Sequence, residues 1–270
     1  MEFLKQLYSI SLVISVICSI AMAALLRLKS ARKEIVNPLV LFCIGVATWI
    51  SGYLLINSGA PFLMEAGRFL INLSPLVATF FLHFVLLFIN TEKKALLPAI
   101  YSIAFVTTGA GLFMSAGEVS SWSVFDNYYI ANKATALLAV VTLIFSTVAH
   151  LLLLRASLHS NKKRQRQMIA LFLSGLLGLL SCSGFVFEAM GINSFPYPVL
   201  LLPGYTLLMT YGILRYELME INIWARRTLT WALIIFVPLL VVSIPLALIV
   251  RYGTTGFSGM IPVKCRLCNP

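Results

Sequence analysis

Residues Leu7–Leu26 form a predominantly apolar stretch, LYSISLVISVICSIAMAALL, near the start of the chain. An α-helix needs about 20 mostly apolar residues to cross the hydrocarbon core of a bilayer, and this stretch has that length. A secretory signal peptide would have a shorter apolar region followed by a small-residue cleavage site, and no convincing site follows here. The stretch therefore predicts a transmembrane helix.

Similar stretches recur along the rest of the chain. The composition is 60% hydrophobic and 11% charged, compared with about half and about a quarter in soluble domains. Because every backbone polar group must be hydrogen-bonded inside lipid, each stretch is predicted to be a helix. The predicted fold is all-α, a polytopic membrane helix bundle with seven core spans plus an eighth. The spans are Leu7–Leu26, Val36–Ile56, Gly67–Ile89, Ala95–Ala116, Ala134–Leu154, Met168–Met190, Val199–Leu214 and Leu229–Val250.

Basic residues between the spans predict the orientation. The formal net charge is +11, and most of the Lys and Arg residues lie in alternate loops, above all in Asn161–Gln167 (NKKRQRQ). The positive-inside rule places these loops in the cytosol and the amino terminus outside. We interpret the charge as a topology signal rather than as a nucleic-acid interface. The expected surroundings are a lipid bilayer, with no nucleic acid.

Residues that carry chemistry are few. Asp126 is the only Asp, and none of the three His residues pairs with a second His or a carboxylate at metal-binding spacing. Clusters of acidic metal ligands, zinc-protease motifs and glycine-rich phosphate loops are all missing from the sequence. Cys265 and Cys268 form one Cys-x-x-Cys pair without two further ligands, so their role stays open. The sequence predicts no catalytic residue, no metal site and no cofactor.

Polar and aromatic side chains within the spans are the candidates for ligand binding, because a polar group in lipid is costly unless it is paired or faces a cavity. The candidates are Trp49, Asn72, His83, Glu188 and Tyr205. Some have a structural alternative. Asn72 would bond a neighbouring helix, His83 would pack between helices with one ring nitrogen satisfied, and Glu188 would be a hydrated carboxylate at the interface.

The largest of the predicted outer loops is Gly117–Lys133, with the sequence GEVSSWSVFDNYYIANK. Its aromatic residues are expected to lie at the membrane–water interface, where Trp and Tyr are enriched. The alternative is that this loop forms a lid over a bound ligand.

A polar but periodic segment follows the seventh span. Residues Tyr211–Thr228, YGILRYELMEINIWARRT, carry an apolar stripe at helical spacing and end in a pair of arginines before the eighth span. The stripe consists of Leu214, Leu218, Ile221 and Ala225. We expect a short amphipathic cytosolic connector, 215–228, between a seven-helix domain, 1–214, and the eighth span, 229–250, with a short tail at 251–270.

The order of spans, Trp49 in the second span and the connector resemble the N-terminal seven-transmembrane sensor region of bacterial histidine kinases. The most specific match is YGILRYELMEINIWARRTLTWAL, in which Glu220 replaces the usual Asp. The resemblance implies a sensor or receptor module in the bacterial inner membrane that passes signals through the connector. The implied relay residues are Arg215, Leu218, Glu220, Ile221, Arg226 and Arg227.

The chain departs from that family after the eighth span. Family members usually continue to a ninth span, a phospho-accepting His and an ATP-binding domain, and these are missing from the sequence. We therefore expect no kinase activity from this polypeptide, which would be either a truncated or frame-disrupted kinase or a stand-alone sensor. The expected partners are a separate kinase, a second copy of the chain and an unidentified small ligand.

The alternative function is a small transporter or permease component. In that case Glu188 and His83 would be the coupling sites, because ionisable groups inside membrane spans commonly mark ion or substrate pathways. Few ionisable residues lie in the middle of the spans, which favours the sensor.

Overall fold

The computed structural model describes residues 2–29, 33–90, 95–184, 192 and 194–215. These residues form eight α-helices, one 3-10 helix and one two-stranded hairpin. In chain order they are α1 (Glu2–Lys29), α2 (Lys33–Asn57), α3 (Pro61–Ile71), α4 (Ser74–Phe88), α5 (Leu97–Phe113), β1 (Glu118–Trp122), β2 (Phe125–Ile130), α6 (Lys133–Leu158), α7 (Lys162–Cys182), the 3-10 helix (Tyr197–Leu201) and α8 (Leu202–Arg215).

Five helical segments among the described residues are long and apolar enough to cross a membrane. They are α1, α2, the combined α3–α4 segment, α6 and α7, and α5 is a shorter apolar helix of 17 residues. The predicted helical membrane fold is therefore confirmed, while the count of seven or eight spans stays a prediction. The predicted eighth span, the tail with Cys265 and Cys268 and most of the connector lie outside the described residues.

Several predicted boundaries were wrong. The third span was expected to begin at Gly67, but α3 already begins at Pro61, so the connection from α2 is shorter than expected. Proline at the first helical turn explains this start, because its fixed φ suits a helix and its missing N–H is not needed there. The basic segment Asn161–Gln167 was expected in a loop, but Asn161 caps α7 by accepting from the Arg164 amide at 3.0 Å.

The helices contact one another in a closed order. α1 packs against α2 and α8, α2 against α4, α4 against α6, α6 against α7, and α7 against α8. α3 packs on α2, and α5 lies against α4 and α6. The first and the last described helices are therefore neighbours, so α1 is in direct contact with the helix that leads into the connector.

Gly52 and Gly67 set the distance between α2 and α3. A Cβ added at Gly52 would lie 2.7 Å from the Gly67 carbonyl oxygen, and a Cβ added at Gly67 would lie 2.5 Å from the Gly52 carbonyl oxygen. Both obstacles are backbone atoms, which cannot rotate away. The helices can approach this closely only because both positions lack a side chain, as at small-residue contacts between membrane helices.

We expect Gly52→Ala to lower the free energy of unfolding by about 1–3 kcal/mol, because the added methyl overpacks this contact. Gly109→Ala is the matched control, since nothing lies within 4 Å of a Cβ there. Alanine should favour that helix by up to about 1 kcal/mol. Unfolding in mixed micelles with increasing SDS measures both effects, and equal stability of the two variants would contradict the proposed contact.

Candidate functional site

The segment between α5 and α6 is an antiparallel β-hairpin. β1 pairs with β2 in the register Glu118↔Ile130, Val119↔Tyr129 and Ser120↔Tyr128, and an irregularity follows Ser120. Tyr128 and Tyr129 are adjacent on β2, and both are buried. Neighbouring residues of a strand point to opposite faces, so β2 is covered on both faces. β2 is therefore packed among the helices, whereas β1 is largely exposed.

Five aromatic rings meet around the hairpin. Tyr8 of α1 lies 4.8 Å from Phe125 and 6.2 Å from both Tyr128 and Phe195, measured between ring centroids. Tyr53 of α2 lies 6.3 Å from Tyr128. Tyr8 and Tyr128 are each 0% exposed. These contacts connect α1, α2, the hairpin and the segment that precedes the 3-10 helix.

Asn72 ties the hairpin to the break between α3 and α4. Its Nδ2 donates to the Ala116 carbonyl at 2.9 Å, and its Oδ1 accepts from the Tyr129 hydroxyl at 2.7 Å. Asn72 is only 2% exposed, so both ends of a buried amide are satisfied by the two sides of the hairpin. We call Tyr8, Tyr53, Asn72, Phe125, Tyr128, Tyr129 and Phe195 the hairpin cluster.

Gly117 allows the backbone to turn sharply immediately before β1 begins at Glu118. Its φ is +79°, a conformation that glycine adopts without steric cost. A Cβ at this position would also collide with the Tyr129 ring. The backbone and the ring can therefore pack together only with glycine at this position.

An ion pair connects α1 to the tip of the hairpin. Lys5 Nζ donates to Asp126 Oδ2 at 2.6 Å, and this hydrogen bond together with the lysine charge lowers the pKa of the Asp126 carboxyl. The carboxylate is 87% exposed, so water screens the pair and its contribution to stability is small. A cleft of about 100 Å³ lies beside the pair, with Ser9, Asn57 and Asn127 among its lining residues.

Of the five predicted ligand-binding candidates, Asn72 belongs to the hairpin cluster and Trp49 packs against its edge. Trp49 lies 5.3 Å from Tyr53 between ring centroids, and Tyr53 lies 6.0 Å from Tyr129, which bonds Asn72. The Asn72 hydrogen bonds correspond to the structural alternative predicted for this residue, with the hairpin rather than a helix as its partner.

The other three candidates are not part of this cluster. His83 of α4 shares a 2.9 Å hydrogen bond between its Nδ1 and the Tyr101 hydroxyl of α5, as expected for a helix-packing histidine. Tyr205 is buried, and its ring faces Gly178 of α7. Glu188 lies outside the described residues.

Sequence reasoning missed Tyr8 and Tyr53. It placed Phe125, Tyr128 and Tyr129 at the level of the membrane–water interface, which stays a prediction, and it did not foresee that their side chains are buried in protein. A signal was nevertheless present. If the first four predicted spans alternate in direction, Tyr8 near the start of the first, Tyr53 near the end of the second and the Gly117–Lys133 segment after the fourth all lie at the same end of the bundle.

The predicted relay residues lie mostly beyond the described part of the chain. Arg215 is the last residue of α8, whereas Leu218, Glu220, Ile221, Arg226 and Arg227 are outside it. The amphipathic connector therefore stays a prediction.

Comparison with known families gives one match that covers most of the chain. A family model described as the N-terminal 7TM region of histidine kinase matches residues 11–222. The matched range contains β1, β2 and every residue of the hairpin cluster except Tyr8, and it extends into the connector. No curated protein matches the sequence.

Proposed function

The chain belongs to the family of N-terminal seven-transmembrane regions of histidine kinases, and from this premise we propose that it is a membrane sensor that receives its stimulus at the hairpin cluster. A ligand or membrane state shifts the sensor only if it interacts more favourably with one helix arrangement than with the other. The hairpin cluster suits this role because elements from several parts of the chain meet in it.

One observation carries the proposal. The same cluster contains Tyr8 of α1 and Phe195, which directly precedes the 3-10 helix and α8. A displacement of the hairpin therefore disturbs contacts at the start of the segment that leads into α8. The connector follows α8 in the chain, so α8 is the shortest covalent route from the cluster towards the connector.

Contacts of α1 with the 3-10 helix and with α8 support this route. Ser11 Oγ of α1 donates to the carbonyl oxygen of Val199 in the 3-10 helix at 3.4 Å, and Thr210 Oγ1 of α8 donates to Met22 Sδ of α1 at 3.3 Å. Movement of α1 is thereby transmitted to the segment from the 3-10 helix to α8, and Arg215 then begins the relay through Leu218, Glu220, Ile221, Arg226 and Arg227.

The orientation belongs to the same proposal. The amino terminus and the hairpin lie outside a bacterial inner membrane, and the start of α7 and the connector lie in the cytosol. The concentration of Lys and Arg in alternate loops supports this arrangement. We propose seven core spans, 1–214, the connector at 215–228, an eighth span at 229–250 and a tail at 251–270.

For the ligand-binding candidates, we propose that Trp49 borders the input site and that Asn72 positions the hairpin over it. The cleft beside Lys5 and Asp126 is the point of entry for an external small ligand. His83 and Tyr205 pack the helices instead, and Glu188 stays a candidate contact at the outer end. The transporter alternative receives no support from His83, whose Nδ1 hydrogen-bonds Tyr101.

The matching region is the sensor part of histidine kinases and not a catalytic domain. We propose that this region carries no catalysis itself and delivers its signal to a kinase, with a second copy of the chain as a further partner. In this arrangement the connector is the segment that passes the signal from the sensor to the kinase.

The test is a fusion of the connector, through the family's usual further spans, to a histidine kinase core. We expect Leu218→Asp to abolish stimulus-dependent phosphorylation, because a charge in the apolar stripe prevents its packing. Asn222→Asp adds the same charge off the stripe and should leave the response within about twofold. Equal responses of the two variants would contradict the proposed relay.

A further inference from the structure

A groove separates α7 from α8 at the basic end of the helices. It has a volume of about 170 Å³, and Ile169, Leu173 and Leu208 form its walls. Ala170 and Gly212 form its floor, where a Cβ added at Gly212 would lie 3.2 Å from the Ala170 Cβ. The two helices are therefore close at the floor while the groove stays open at the surface.

Polar groups mark only one end of this groove. Arg166 lines it one turn before Ile169, and Tyr211 of α8 lines the opposite side and is about half exposed. Leu173 lies seven residues further along α7, which is about 10 Å deeper in the membrane. The groove therefore has a cationic and aromatic entrance at headgroup level and an apolar interior.

Further cations lie near the entrance. Lys162 and Lys163 are in the first turn of α7, and the sequence contains no Asp or Glu between Asp126 and Glu188. Arg164 is occupied elsewhere, because its Nη2 donates to the Phe88 carbonyl at 2.8 Å. Among the described residues, none forms an ion pair with Arg166.

We infer that this groove binds an anionic phospholipid, with one acyl chain along the apolar walls and the headgroup phosphate at Arg166. Acyl chains are as apolar as leucine, so the walls alone would not distinguish one lipid from another. Selectivity comes from the cation at the entrance, as in basic pockets between membrane helices. The cytosolic leaflet as the source of the lipid rests on the proposed orientation.

The site adjoins the end of α8, where the connector begins. A lipid in the groove contacts both α7 and α8. It therefore stabilises one particular distance between these two helices. The abundance of anionic lipid would then bias the same helix that carries the output of the sensor.

The test measures lipid binding and does not depend on signalling. The full chain is reconstituted in phosphatidylcholine nanodiscs, and the motionally restricted fraction of spin-labelled phosphatidylglycerol is compared with that of spin-labelled phosphatidylcholine. We expect a preference for phosphatidylglycerol that falls about fivefold in Arg166→Gln. Arg166→Lys and Arg155→Gln should keep it within about twofold, since the first retains the charge and the second removes an exposed arginine of α6 outside the groove.

Three results would overturn the inference. The first is equal restriction of the two lipids, and the second is an equal loss in Arg166→Gln and Arg155→Gln. The third is a groove covered by a second copy of the chain, detected as a disulfide-linked dimer of Ile169→Cys in the same nanodiscs with no lipid preference. Arg166 is exposed, so its substitution should preserve the helix content measured by circular dichroism.

Discussion

Replacing Asn72 by leucine is expected to release the hairpin from the break between α3 and α4. Leucine has a similar size, but it neither donates to the Ala116 carbonyl nor accepts from the Tyr129 hydroxyl. Losing buried hydrogen bonds in this way should lower the free energy of unfolding by about 2–4 kcal/mol. Unfolding in mixed SDS micelles measures the loss.

Asn37→Leu is the matched control for this prediction. Asn37 is exposed on α2, and its side chain accepts from Arg27 Nη1 at 2.7 Å. An exposed substitution of this kind should change stability by less than about 0.5 kcal/mol. If the two asparagine variants lost equal stability, Asn72 would not have the positioning role described above.

Replacing Tyr8 by alanine is expected to be at least as damaging. Its ring is fully buried and contacts Phe125, Tyr128 and Phe195. Removing a buried aromatic ring leaves a cavity and typically costs about 3–5 kcal/mol. The same SDS titration, followed by tryptophan fluorescence, measures the change.

Tyr197→Ala is the control for the loss of Tyr8. Tyr197 also contacts Phe195, with ring centroids 4.9 Å apart, but it is 59% exposed. We expect a loss of less than about 1 kcal/mol, because most of the ring is not packed in protein. A smaller effect for Tyr8 than for Tyr197 would show that the hairpin cluster is not a packing centre.

The sequence predicted the membrane helices well because their signal is local. A run such as Leu7–Leu26 has enough length and hydropathy to specify a span by itself, and it lies within α1. Helix ends were less predictable, since they depend on single residues. Pro61 extended the third segment outwards, and Asn161 began α7 inside a basic stretch.

The hairpin could not be predicted in the same way. A half-buried strand shows alternating apolar and polar residues, but β2 is covered on both faces and carries buried Tyr128 next to buried Tyr129. Its position is fixed by distant partners such as Tyr8 and Asn72. Local periodicity contains no information on such contacts, so the sequence singled out Asn72 but not the aromatic residues that surround it.

The proposed signal path runs from the segment after α5 to the connector after α8. Asn72 lies at the α3–α4 break, and the direct packing partners of α8 are α1, α7 and the 3-10 helix. We therefore propose that a displacement at Asn72 is transmitted to α8 through the hairpin and the aromatic rings of the hairpin cluster. Coupling between the two is measured by a perturbation at Asn72 and a readout in α8.

The most direct test is amide hydrogen exchange of the full chain in lipid nanodiscs, comparing the native protein with Asn72→Ala. We expect exchange to accelerate at least about fivefold in β1 and β2 and also in α8, because a loss of about 1 kcal/mol in local stability corresponds to this factor, while α5 keeps its native rates. Faster exchange in the hairpin with unchanged exchange in α8 would contradict the proposed coupling.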